Sequence, residues 1–266
     1  MKKFLFWFIA IVITLSSAVY QRLTGPTYPV RGKVMLADAE IRYELPRSEE
    51  IAKNCEVGVR AANLKITGRL LYKRFKTADP WTEVPLARET DMLVGYLPKQ
   101  PMAGKLAYKV FLSYREKETS LSGEEPIIIR FKGTVPAAIL IPHMLLMFLA
   151  MLFSTCAGIA ALRRQSNARK FAIWTAGLLF VGGFILGPLV QKSAFGDWWT
   201  GVPFGFDLTD NKTLIAMLGW VAALIAGRRG KPSRGWVLAA SILTLVIFMI
   251  PHSLLGSELK YTESLQ

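Results

Sequence analysis

The chain has 266 residues, of which 52% are hydrophobic, and a formal net charge of +14 at pH 7. Its apolar residues are gathered into long blocks, which excludes an ordinary soluble globule. The basic excess is local, and no basic face is interleaved with stacking aromatics, so the charge does not describe a nucleic-acid surface.

The first block, Phe4–Tyr20, follows Lys2 and Lys3 and ends in "SSAVYQR". A basic start, an apolar run and small residues at Ser16 and Ala18 also fit a cleaved secretory signal. Near-spanning length favours a retained signal-anchor helix over residues 1–21; cleavage would leave four spans instead of five.

Residues 22–134 carry 20 Lys/Arg and 14 Asp/Glu and change from continuous to alternating hydrophobicity. Seven strands are expected, over residues 28–36, 40–45, 55–61, 66–76, 90–97, 105–115 and 126–133. Each has branched or aromatic residues spaced by two and is bounded by Pro, Gly, Asn or Asp. In "KLAYKVFLSYR", Leu106, Tyr108, Val110 and Leu112 share one face, and Lys105, Lys109 and Ser113 share the other. Such short strands predict an antiparallel all-β sandwich inserted between membrane spans.

The stretches "LLYKRFKTADPWTEVPL" and "GKLAYKVFL" resemble the central hairpin and penultimate strand of the immunoglobulin and fibronectin type III class. The resemblance covers residues 28–133. It implies a binding or spacing module and a tyrosine-corner position for Tyr108; the Cys…Trp…Cys pattern of antibody domains is missing. Cys55 here and Cys156 in a span read as small buried apolar side chains, with no metal spacing between them.

Four further spans are expected at Pro136–Leu162, Phe171–Val190, about Leu208–Gly227 and Trp236–Leu255, forming a four-helix bundle over 135–257. The connections "RRQSNARK" (163–170) and "RRGKPSRG" (228–235) each carry four basic residues and no acid. They predict cytoplasmic loops. The N-terminus is then inside a cytoplasmic (bacterial inner) membrane. The β domain, the loop 191–212 and the tail 258–266 lie outside. Small residues, including Gly183 and Gly187 with Gly158 and Gly219, suit close helix packing.

His143 and His252 are the only histidines, and each follows the dipeptide Ile-Pro inside a span. At ~1.5 Å per residue they fall within about 10 Å of the outer ends of their helices, at nearly one depth. Pro142 and Pro251 should kink those helices and release the carbonyls of Ala138 and Ile247. The connecting stretch "DWWTGVPFGFDLTDNKTL" (197–214) brings acids and aromatics to the same end. Asp207 suits a helix N-cap, and Asp210 the capping-box position three residues on. Trp198 and Trp199 suit an interfacial belt.

Three readings of this cluster stay open. In the first, His143, His252 and the acids form a polar network closing the bundle, and the chain is a membrane-anchored binding or assembly scaffold with a protein partner. In the second, His143 and His252 ligate a b-type haem in a redox subunit facing a quinone. A variant of it has them bind Zn, Cu or Fe together with Asp207 or Asp210. Asp197, Trp198, Trp199, Lys212 and Glu258 would surround either site. The third, a hydrolase with a His/Asp base, lacks a supporting serine or HExxH motif. No catalytic residue is assigned. The stretches "WTGVPFGFDLTDNK" and "IPHSLLGSEL" resemble a signature of uncharacterised bacterial multi-pass membrane proteins.

Overall fold

The computed structural model describes residues 2–228, 233–251, 256, 258, 259 and 261. Its contacts separate a helical unit, residues 1–26 and 135–257, from a β unit, residues 27–134 and 258–266.

Among its described residues the β unit holds eleven strands, where the sequence pattern predicted seven. One sheet joins β1 (Val30–Leu36), β2 (Ala39–Leu45), β4 (Cys55–Arg60), β8 (Met92–Leu97) and β7 (Ala87–Glu89), in that order. The other joins β3 (Ser48–Glu50), β11 (Ile127–Lys132), β9 (Lys105–Tyr114), β5 (Thr67–Arg74) and β6 (Thr82–Pro85). β10 (Lys117–Ser120) adds to β9 by a hairpin. The unforeseen strands are three or four residues long and largely polar, too short to show an alternation. The pairing is not wholly antiparallel, because β3 runs parallel to β11.

One core lies between the two sheets, drawing Ile41, Leu45, Val57 and Leu97 from one and Leu70, Leu106, Val110 and Phe131 from the other. Leu106, Tyr108, Val110 and Leu112 are at most 1% exposed, so alternate residues of β9 all enter that core. Each such burial contributes roughly 1.5–3 kcal/mol. The Tyr108 hydroxyl donates to the Pro46 carbonyl at 2.7 Å. A tyrosine corner closes on a carbonyl a few residues upstream. Here the acceptor is 62 residues away, at the point where the chain leaves β2 for β3 in the other sheet.

The helical unit begins with α1 (Lys2–Leu23) and continues with α2 (Ala137–Leu162) and α3 (Ala168–Leu179). A π-helical segment (Phe180–Leu186) leads into α4 (Gly187–Phe195), and α5 (Leu208–Ala226) and α6 (Arg234–Met249) complete the unit. Among the described residues, four helical runs are long and apolar enough to cross a membrane: Lys3–Leu23, Ala137–Leu162, Ala168–Phe195 and Leu208–Ala226. α6 has 16 residues, about 24 Å at 1.5 Å per residue and short of a hydrocarbon core of roughly 30 Å. Pro251 therefore ends this helix where a kink was expected. Ile250 before it is extended (φ −69°, ψ 124°), the conformation that a following proline imposes.

α1 is part of the helical unit, not a detached anchor. Phe6, Ala10, Thr14 and Ser17 are buried at helical spacing, and Phe6 and Ala10 share a cluster with Cys156 and Ala160 of α2. Phe6, Trp7, Phe153, Phe171 and Trp174 interlock α1, α2 and α3 through ring contacts of 5.8–6.4 Å. α2 and α6 approach closely at Gly158, where an added Cβ would run into the Ser241 side chain. The Ser241 hydroxyl donates to the Ser154 carbonyl at 2.8 Å. Trp220, fully buried in α5, donates to Thr244 Oγ1 of α6 at 2.8 Å.

The basic connections also build structure. Arg234 Nε donates to the Ala161 carbonyl at 2.9 Å, and Arg169 donates to the Gly227 carbonyl at 2.7 Å. Each guanidinium meets the end of a neighbouring helix, where orphan carbonyls and the helix dipole favour a cation.

Candidate functional site

Asp207, Asp210 and Lys212, singled out in the sequence, lie on the first turns of α5, next to the 196–207 connection. Residues 191–195, expected in that loop, extend α4 instead, and Gly196 ends the helix in the left-handed region at φ 92°. Asp207 caps α5, accepting from Thr209 N at 2.7 Å and Asp210 N at 3.4 Å.

Asp210 does not complete a capping box. The Asp207 N–H instead donates to the Thr200 carbonyl at 3.0 Å. The Asp210 carboxylate, only 9% exposed, turns to the loop. It accepts from Thr200 N at 2.7 Å, Gly201 N at 3.1 Å and Thr200 Oγ1 at 3.2 Å. Asn211 adds a fourth anchor by accepting from Val202 N at 2.7 Å. Gln191 Nε2 donates to Thr200 Oγ1 at 2.8 Å. The acidic turn of α5 is thus a cradle for backbone donors that a loop without regular structure would otherwise leave unpaired.

Lys212, 4% exposed, donates to the Ile250 carbonyl at 2.8 Å and to Pro251 O at 3.4 Å. From α1, Gln21 Nε2 donates to the carbonyls of Phe248 and Ile250. The end of α6, left with free acceptors by Pro251, is therefore satisfied by side chains of two other helices, one of them cationic. Gln21, Thr209, Lys212 and Thr213 line a cavity of about 20 Å³ together with Met147, Ile247 and Phe248. That is the scale of a single water molecule.

His143 lies on α2, where Pro142 stays inside the helix. Its Nδ1–H donates to the Gly182 carbonyl of the π-helical segment at 2.9 Å. With i→i+5 bonding and no side chain on Gly182, that carbonyl accepts both His143 and the Gly187 N–H. Pro188 follows at once, and a widened turn just before a proline relieves its ring clash and missing donor.

The structure thus engages His143 with the third span and the acids with the loop. His252 lies outside the described residues. Among the described residues, no group of three His, Cys, Asp or Glu side chains is placed to hold a metal ion. Asp197 and Trp198 are exposed, and Trp199 donates its Nε1–H to the Val202 carbonyl at 3.1 Å.

Glu258 belongs to the β unit, where it accepts from Lys76 Nζ and Lys105 Nζ, both at 3.1 Å. Burial works to raise its pKa, but the two ammonium groups outweigh burial and hold the carboxyl below its ordinary value. Lys105 is also pushed down, first by burial and then by the charge of Arg130. One carboxylate therefore sits among an excess of cations. Beside it, Leu259 N–H donates to the Ala103 carbonyl at 3.1 Å, and the Tyr261 hydroxyl accepts from Lys105 N at 2.9 Å.

Gln21, Asn211 and Pro188 escaped the sequence reading. Pro188, directly after "GGFILG", is a signal that could have been found; the partners of Gln21 and Asn211 are visible only in three dimensions. No protein-family model, curated protein or solved structure matches this chain.

Proposed function

We propose that this chain is a membrane-anchored binding or assembly protein, carried in the bilayer by five helices with its β unit on the non-cytoplasmic side. The observation that carries the reading is how the polar groups within the apolar helices are used. Such groups ordinarily mark a transport path or reaction centre. Here Asp210, Lys212 and His143 are each committed to backbone partners that hold the fold together.

The basic connections between α2 and α3 and between α5 and α6 support a cytoplasmic placement for that end. Residues 134 and 258 both belong to the β unit, so an even number of crossings must lie between them. α2, the α3–α4 run and α5 supply three, so parity assigns the fourth crossing to the shorter α6. The β unit is, on this reading, immunoglobulin-like. Its β2-β4-β8-β7 and β11-β9-β5-β6 orders follow the A-B-E-D and G-F-C-C′ orders of that class. Domains of this architecture bind or space other proteins, and the partner would be met in the extracytoplasmic space.

The test is single-cysteine labelling in intact cells, with metal analysis and an absorption spectrum of the purified protein. Cys55 and Cys156 are fully buried, so an introduced thiol reports its own position. Leu64→Cys in the β unit should react with an impermeant maleimide, and Arg164→Cys only after lysis. The reverse pattern refutes the orientation. A Soret band or a stoichiometric transition metal would replace the scaffold reading with the redox one.

A further inference from the structure

We propose that the 197–207 connection is a preformed aromatic wedge that seats Phe204 and Phe206 in the bilayer, at the boundary between headgroups and acyl chains. The inference rests on the membrane reading above and adds a lipid-binding element to it.

Phe206 and Phe204 are 89% and 81% exposed, the highest values among the large apolar side chains of the described residues. Val202 and Trp198 beside them are 48% and 55% exposed. A connection whose only task is to turn around in water has no use for so much apolar surface.

The backbone gives the second argument. Thr200 N and Gly201 N donate to Asp210, and Val202 N to Asn211. Phe204 N and Gly205 N both donate to the Gly201 carbonyl, at 2.9 and 3.0 Å, and Asp207 N donates to Thr200 O. Pro203 has no N–H to satisfy. In water such internal pairing is optional, because solvent competes for every donor. Near hydrocarbon it is required, and irregular backbone enters a membrane only when its polar groups are paired. The paired donors lie on the stretch that carries the exposed phenyl groups.

The third argument is continuity with the helix surface. Trp199 stacks on Phe184 with ring centroids 5.6 Å apart, and Phe184 stacks on Phe180 at 6.3 Å. Phe180, Val181 and Ile185 are exposed on the same apolar helical run. The aromatic row therefore leads from a span directly into the loop. Where the same helical run enters the loop, exposed Lys192 lies 5.9 Å from the Trp198 ring, and Asp197 is exposed. Exposed aromatic and charged side chains in one connection are the composition of a membrane interface.

The test places a nitroxide at Phe204→Cys or Phe206→Cys in the full-length protein, reconstituted in phosphatidylcholine–phosphatidylglycerol vesicles. Collision rates with oxygen and with a nickel chelate are compared. Leu218→Cys, exposed on α5, serves as the membrane reference, and Leu64→Cys as the aqueous one. The expected result is an oxygen-to-nickel ratio at 204 and 206 several-fold above that at 64 and close to that at 218. A ratio like that at 64 overturns the proposal by putting the loop in water. Low access to both reagents overturns it by showing that protein covers the tip. If Leu218→Cys itself reads as aqueous, the membrane reading has failed, a result distinct from failure of the wedge.

Discussion

Removing the Asp210 carboxylate is the sharpest test of how the loop is built. Asp210 accepts two backbone N–H bonds and one hydroxyl bond while almost wholly buried. A hydrogen bond to a charged group contributes about 1.5–3 kcal/mol, so the two backbone donors alone set an upper bound of roughly 3–6 kcal/mol. After substitution the loop can shift toward the headgroup region, where water reaches those donors, and the α5 cap at Asp207 remains. We therefore predict a loss of about 2–3 kcal/mol for Asp210→Ala, toward the upper part of the range for single substitutions. Asp207→Ala removes the α5 cap, a loss that costs about 0.5–2 kcal/mol. Denaturant unfolding of the purified protein in mixed micelles, followed by tryptophan fluorescence, gives the ranking. Hydrogen exchange at the amides of residues 200–202 locates the effect. A cost for Asp210→Ala below that of Asp207→Ala, with those amides still protected, would refute the cradle.

Three further outcomes follow from the geometry. Tyr108→Phe should lower β-unit stability by about 1 kcal/mol in thermal denaturation, the usual net value of one hydrogen bond, here the one to Pro46; an unchanged melting curve would show that bond to be dispensable. Gly158→Ala should destabilise by about 1–3 kcal/mol through overpacking against Ser241. Ser241→Gly in the same chain should restore much of the loss, and additive costs in the double mutant would refute the clash. Because the Glu258 pKa is lowered in the folded state, its contribution is present above the ordinary value of 4.5 and lost as pH falls through the lower folded value. Protection of the Leu259 amide, corrected for intrinsic exchange, should therefore fall across that acid window in the wild type. In Glu258→Gln it should already be reduced at neutral pH and stay flat through the window, and identical profiles would refute the linkage.

How far the sequence could be read depended on whether a residue's partner was near in the chain. In β9 the alternation of Leu106, Tyr108, Val110 and Leu112 against lysines marked a buried face, and those residues fill the core. β3 carries "SEE" and has no such signature; only its pairing with β11, some 80 positions on, makes it a strand. In α1 the packed stripe of Phe6, Ala10, Thr14 and Ser17 has helical period. It was hidden because its neighbours are apolar too and face outward, so periodicity carried no contrast.

The candidate site shows the same limit and a rule behind it. His143, Asp210 and Lys212 are polar groups on predominantly apolar helices, where such groups need partners. The partners are backbone atoms. His143 reaches a carbonyl of the π-helical segment that precedes Pro188, and Lys212 and Gln21 reach carbonyls left by the end of α6 at Pro251. Asp210 supplies acceptors where the loop has donors. In an apolar environment each interruption of helical hydrogen bonding must be answered by a polar side chain from elsewhere. Prolines and irregular segments thus indicate where such side chains will be needed. Which side chain answers is decided by packing, and that is why Gln21, more than two hundred residues from the carbonyls it meets, carried no signal in the sequence.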